Sequence, residues 1–218
     1  MNIDNLFFSL EIIGTLAFAV TGVITAFDEK LDLLGAVVLG LSAAVGGGIL
    51  RDIILGYLPP SAFRHPVFSL IAIAASILAF VIAYFVGKRF KKHNREWFQV
   101  LNIFDSVGLA AFTVGGVNAA HVCGFAENSF LCIFVGTLTA VGGGVLRDIM
   151  AGRVPVILRK QVYALAAIIG AGVYQGLFEL TQIPQTLLIV ISISSVLIIR
   201  ILATVFHWNL PSLKNADE

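Results

Sequence analysis

Residues 40–59 read GLSAAVGGGILRDIILGYLP, and residues 136–155 read GTLTAVGGGVLRDIMAGRVP. Aligned without gaps, the two stretches agree at 12 of 20 positions. The likeness continues upstream. Phe18-Ala19-Val20-Thr21-Gly22 parallels Phe112-Thr113-Val114-Gly115-Gly116, and Glu11 falls opposite Asp105. The chain therefore carries one unit twice, and self-similarity of this kind decides an architecture before any single motif does.

The units are apolar. Of 218 residues, 58% are hydrophobic and 12% charged, half the charged share of an ordinary soluble domain. Mean hydropathy is +0.96. A water-soluble fold of this size cannot hide so much apolar surface, which excludes a cytosolic enzyme. Net charge is +1 and no basic stripe is broad enough to follow phosphates, which excludes a nucleic-acid binder.

A helix needs about 20 apolar residues to cross a bilayer. Seven runs qualify: Phe7–Phe27, Leu33–Leu55, Val67–Val86, Val100–Ala120, Ser129–Met150, Val162–Leu180 and Pro184–Phe206. The reading is an all-α integral membrane protein in a single membrane domain. Repeat 1 covers 7–86, repeat 2 covers 100–180, and a seventh span covers 184–206. Three spans per repeat is an odd number, so the second copy enters the membrane from the opposite side. Inverted repeats of this kind place a pathway at their interface.

Lysine and arginine set the orientation. Outside the spans, ten lie on one side and only Arg64 on the other. The N-terminus is expected outside and the C-terminus in the cytoplasm. No basic residue precedes the first apolar run, which predicts a retained first helix rather than a cleaved signal. The cluster Lys88-Arg89-Phe90-Lys91-Lys92 reads as a topology signal or as a contact for anionic lipid head groups.

Gly46-Gly47-Gly48 and Gly142-Gly143-Gly144 lie inside spans 2 and 5. Consecutive residues step about 100° around a helix, so each triplet bares more than half the circumference. Two readings follow. One is a kink or unwound turn whose freed carbonyls line a pathway. The other is close packing, because Gly40-Ala44-Gly48 and Gly136-Ala140-Gly144 share small-residue spacing.

Arg51-Asp52 and Arg147-Asp148 follow the glycines in both copies. Charges at that depth are costly and face a polar interior. They either gate a path or lock helix ends as ion pairs, within a repeat or crosswise between repeats. Asp105, Glu11, Ser42 and Thr139 are further pore-lining candidates, their oxygens suited to a hard monovalent cation. His65, His121 and His207 are expected to be surface residues. Cys123 and Cys132 suggest either two small apolar residues or a disulfide. The histidines are scattered, so no metal site of fixed coordination is expected, and no cofactor.

Seven spans, a 3+3 inverted repeat and GGGxxRDxxxG twice resemble the prokaryotic trimeric intracellular cation channel family. Its bacterial branch overlaps a glycine transporter domain family. The resemblance covers about Phe7 to Phe206. It implies a homotrimer with one pore in each protomer, permeable to the monovalent cations potassium or sodium, chiefly potassium. It also implies broken second and fifth helices at Gly46–Gly48 and Gly142–Gly144, with Arg51, Asp52, Arg147 and Asp148 adjoining, in a bacterial inner membrane. Animal members carry a basic lipid-contacting motif where this chain has Arg51-Asp52, so phosphoinositide regulation is not carried over. The function expected is a potassium-permeable channel. The alternative is a secondary transporter of glycine or another small amino acid, which the same symmetry would serve. An enzyme is not expected, because no nucleophile–base pair or metal motif is present.

Overall fold

The computed structural model describes residues 3–90, 94–159, 162–206 and 208. Among them lie seven helices long and apolar enough to span a membrane. These are α1 (Ile3–Asp28), α2 (Leu33–Ile54), α4 (Val67–Phe90), α5 (Asn94–Val122), α6 (Ser129–Met150), α8 (Val162–Leu180) and α9 (Gln185–Val205). Two one-turn helices, α3 (Ser61–Arg64) and α7 (Val156–Arg159), occupy equivalent breaks that the hydropathy pattern left as loops.

The duplicated sequence produces duplicated local structure. Asp32 caps α2 by accepting from the Gly35 N–H at 2.7 Å, and Asn128 caps α6 through the Leu131 N–H at 3.1 Å. Both helices end on a glycine with positive φ, Gly56 at 72° and Gly152 at 69°. There Tyr57 N–H returns to the Asp52 carbonyl, and Arg153 N–H to the Asp148 carbonyl. These bonds satisfy carbonyls the helix end would otherwise leave open, through a left-handed residue that only glycine adopts cheaply.

Helices α1, α2, α5 and α6 form the centre. Helix α4 packs on α1 and α2, and α8 packs in the equivalent way on α5 and α6. The fold is thus an inverted three-plus-three repeat with α9 added against α5 and α8. The repeats meet at paired contacts. The Phe18 and Phe112 rings lie 5.3 Å apart at the pseudo-two-fold axis. Within each repeat the first two spans also touch closely: a methyl group at Gly22 would meet Gly40 Cα at 2.4 Å, and one at Gly116 would meet Gly136 Cα at 2.8 Å. Outward faces of α4 and α9 expose Leu70, Leu78, Phe85, Ile198 and Ile201, as lipid contact requires. The chain is a multi-pass membrane protein.

The triple glycines do not unwind their helices. Helices α2 and α6 are continuous through Gly46–Gly48 and Gly142–Gly144, so the expected broken turn is corrected. Each glycine faces something different. A Cβ at Gly47 would lie 2.1 Å from the Thr139 carbonyl oxygen, and one at Gly143 would lie 1.9 Å from that of Ala43. The middle glycines therefore let the α2 and α6 backbones touch. Gly46 and Gly142 accommodate Leu146 and Leu50 respectively. Packing of α2 on α6 stabilises a helical run that propensity alone would weaken.

Candidate functional site

Gly48 and Gly144, the last of each triplet, stand clear of the neighbouring backbone. The nearest side-chain atom to a Cβ at Gly48 would be Arg51 Nη2 at 3.7 Å, and at Gly144 it would be Tyr163 Oη at 3.3 Å. Each borders one of two equivalent charged clusters at opposite ends of the bundle.

In the first cluster, Arg51 Nε donates to Asp52 Oδ1 at 2.8 Å, and Arg51 Nη1 lies 3.8 Å from Glu11 Oε1. Ser61 on α3 accepts from Arg51 Nη2 at 3.2 Å, and its backbone N–H donates to Asp52 Oδ2 at 2.7 Å. Asp52 thus anchors α3 as well as Arg51. Beside them is a cavity of about 40 Å³, lined by Glu11, Thr15, Gly48, Arg51, Phe68 and Thr139 among others. That is room for one water, whose share of liquid volume is about 30 Å³. An outer vestibule of about 300 Å³ shares Glu11 and Arg51 with it and adds Asp4 and Asn118. The two cavities share Glu11 and Arg51 and are together termed the funnel.

The second cluster has the same plan but is filled. Arg147 Nε donates to Asp148 Oδ1 at 2.9 Å, and the Val156 N–H at the start of α7 donates to Asp148 Oδ2 at 2.9 Å. Arg147 Nη1 reaches Asp105 Oδ1 at 3.4 Å and donates to Thr21 Oγ1 at 2.9 Å. Arg200, from α9, places Nη2 3.4 Å from Asp105 Oδ2, and its Nε donates to Ser106 Oγ at 3.0 Å. The Arg200 guanidinium also lies over the Tyr163 ring, 4.8 Å from its centroid. Arg147 is 2% exposed, Asp105 3% and Arg200 6%, so the charged groups of this cluster are enclosed by protein. Two arginines around one aspartate leave the buried charges paired, which burial at this depth demands.

The expected residues thus separate by end. Glu11, Arg51, Asp52 and Thr139 gather at the funnel, and Asp105, Arg147 and Asp148 at the enclosed cluster. The Arg–Asp pairs form within each repeat, not crosswise. Thr139 spends its hydroxyl on the Val135 carbonyl at 2.6 Å. Ser42 is half-buried on α2 and borders none of these cavities. Cys123 and Cys132 are free thiols. His121 is half-buried at the end of α5: its Nε2 lies 2.7 Å from Gln175 Oε1 and its ring packs on Phe178. His207 and the side chains of Lys88–Lys92 lie outside the described residues. Arg200, Tyr163, Ser61 and Thr15 were not foreseen. A lone arginine inside the last span was the available signal for the first of them.

Fold and site together define a seven-span membrane protein of inverted-repeat architecture, with charged half-sites at both ends. A family described as Glycine transporter matches residues 8–84 and again 102–179, and the chain belongs to it. The inner membrane protein YadS of Escherichia coli strain K12 is 34% identical over 93% of this chain and 94% of its own length. A membrane protein of Deinococcus radiodurans is 39% identical over 75% of this chain and 72% of its own. Solved structures of the prokaryotic TRIC channels share the whole fold. One TRIC cation channel is 36% identical, with TM-score 0.80 over 96% of this chain and 98% of that one. The trimeric intracellular cation channel orthologue from Rhodobacter sphaeroides is 30% identical, with TM-score 0.84 over 93% of this chain and 99% of that one.

Proposed function

We propose that this protein is a cation channel, chiefly potassium-permeable, with one pore in each protomer of a homotrimer. The observation that carries the proposal is the contrast between the equivalent half-sites. One is a funnel lined by Glu11, and the other is filled by Arg147 and Arg200 around Asp105. The likeness to TRIC channels at 36% and 30% identity supports the same reading.

The pathway runs from the Asp4–Glu11 vestibule, past Gly48 and Thr139, to Gly144 and the Asp105 cluster. Glu11 raises the local cation concentration at the mouth. The cavity behind it is too small for a fully hydrated ion, so protein oxygens must replace part of the water shell. In this reading the arginine pair on Asp105 is the gate, shut while both arginines hold the carboxylate. Opening requires Arg147 or Arg200 to leave Asp105, exposing a carboxylate at the second mouth. No reaction is catalysed. The excess of lysine and arginine in the loops of one side supports an N-terminus outside and a C-terminus in the cytoplasm, and the Lys88–Lys92 sequence is suited to anionic lipid head groups.

Proteoliposomes test the substrate class. Loaded with potassium and diluted into sodium or choline, they should release potassium without a coupled solute and take up no radiolabelled glycine saturably. Saturable, gradient-coupled glycine uptake would overturn the channel reading in favour of a transporter.

A further inference from the structure

Resting on the channel reading above, we propose that Thr15 is a cation ligand of the open half-site and discriminates among monovalent cations. A helical threonine ordinarily bonds the carbonyl three or four residues back. Thr21, Thr25, Thr113 and Thr139 do so, donating to Phe18, Thr21, Leu109 and Val135. Thr15 is 2% exposed and lines the 40 Å³ cavity, yet its hydroxyl has no hydrogen-bond partner among the described residues. Among the described residues the fully enclosed hydroxyl without a partner is that of Thr137, so the Thr15 oxygen is one the cavity reaches. Packing does not require the hydroxyl. The equivalent position in the second repeat is Leu109, fully buried in the same setting beside its Phe18.

Position supplies the reason for it. Thr15 is one turn beyond Glu11 on the same face of α1, so both line the funnel in sequence, carboxylate first. A cation that has passed Glu11 enters a space holding roughly one water. There the Thr15 hydroxyl offers a lone pair free of any competing bond. A neutral oxygen at this depth replaces one hydration ligand without trapping the ion, as a second carboxylate would. The closed half has leucine at the matching depth, so this hydroxyl belongs to one half-site only.

The test compares wild type, Thr15→Val and Thr15→Ser in planar bilayers, reading unitary conductance and bi-ionic potassium/sodium reversal potentials. Valine keeps the shape and removes the ligand. Its potassium conductance should fall about fivefold, the worth of one hydrogen-bonding ligand, with a shifted permeability ratio, while serine retains both. Thr15→Val indistinguishable from wild type overturns the role of Thr15 and leaves the channel reading standing. A wild type that passes no cation overturns the channel reading itself. A second measurement does not depend on the variants. Wild-type crystals soaked in thallium should show ion density within bonding distance of Thr15 Oγ1, and density at Glu11 alone would overturn the proposal.

Discussion

The three glycines of each triplet should respond differently to the same added methyl group. In Gly143→Ala the new Cβ falls 1.9 Å from the Ala43 carbonyl oxygen and 3.0 Å from its carbon. Both are backbone atoms, so no rotamer change relieves the clash, and α2 and α6 must part by about 1 Å. Overpacking of this kind costs about 1–3 kcal/mol, and alanine returns about 1 kcal/mol of helix propensity. The clash runs along the main contact between the repeats, so the upper end of that range applies and destabilisation wins. In Gly48→Ala the nearest atom to the new Cβ, apart from its own helix backbone, is Arg51 Nη2 at 3.7 Å. That methyl fits, and the propensity gain should stand alone, raising stability by up to about 1 kcal/mol. Its cost is functional, because the methyl intrudes on the cavity and should lower conductance. Thermal unfolding of the purified proteins in one detergent, followed by tryptophan fluorescence, reads both. Gly143→Ala melting at the wild-type temperature, or Gly48→Ala falling as far as Gly143→Ala, would refute the assignment of these glycines.

The charged clusters give further expectations. Asp105→Asn leaves Arg147 and Arg200 buried without their shared carboxylate and should cost about 3–5 kcal/mol, measurable as a large fall in melting temperature. Arg200→Met keeps one arginine on Asp105, so the protein should fold while the closed state loses a bond. Open probability should rise in single-channel records, and an unchanged value would return Arg200 to a structural role. Glu11→Gln should lower unitary conductance in dilute salt and much less in concentrated salt, since screening replaces a fixed mouth charge. Arg153 pairs with Asp28 and Glu29 between loops at the closed end, with about a third of its side chain exposed. Arg153→Ala should therefore cost less than about 1 kcal/mol.

The doubled segment made most of the fold readable. Two copies of GGGxxRD at equivalent places imply equivalent helices, and three spans per copy imply inversion. It also placed Glu11 opposite Asp105 before either had a neighbour. What the sequence could not convey is the difference between the halves. That difference comes from Arg200 and Ser106, which α9 and α5 bring together, and from Tyr163 standing where the first repeat has Phe68. None lies inside the doubled motif, and their meeting is a tertiary event. Of the two readings of the glycine triplets, the structure shows packing, and for a physical reason. Three bare faces serve three neighbours rather than one seam. Gly47 and Gly143 meet backbone, Gly46 and Gly142 meet leucine, and Gly48 and Gly144 meet the charged half-sites. Thr15 was passed over because one threonine among several has no pattern to mark it.

The central claim is passive cation conduction, and a planar-bilayer recording of the purified protein under a potassium chloride gradient, with no amino acid present, tests it most directly. Discrete unitary steps reversing near the potassium equilibrium potential, more frequent in Arg200→Met, are the predicted result. Steps reversing near the chloride potential, or silence in both wild type and Arg200→Met, would contradict it.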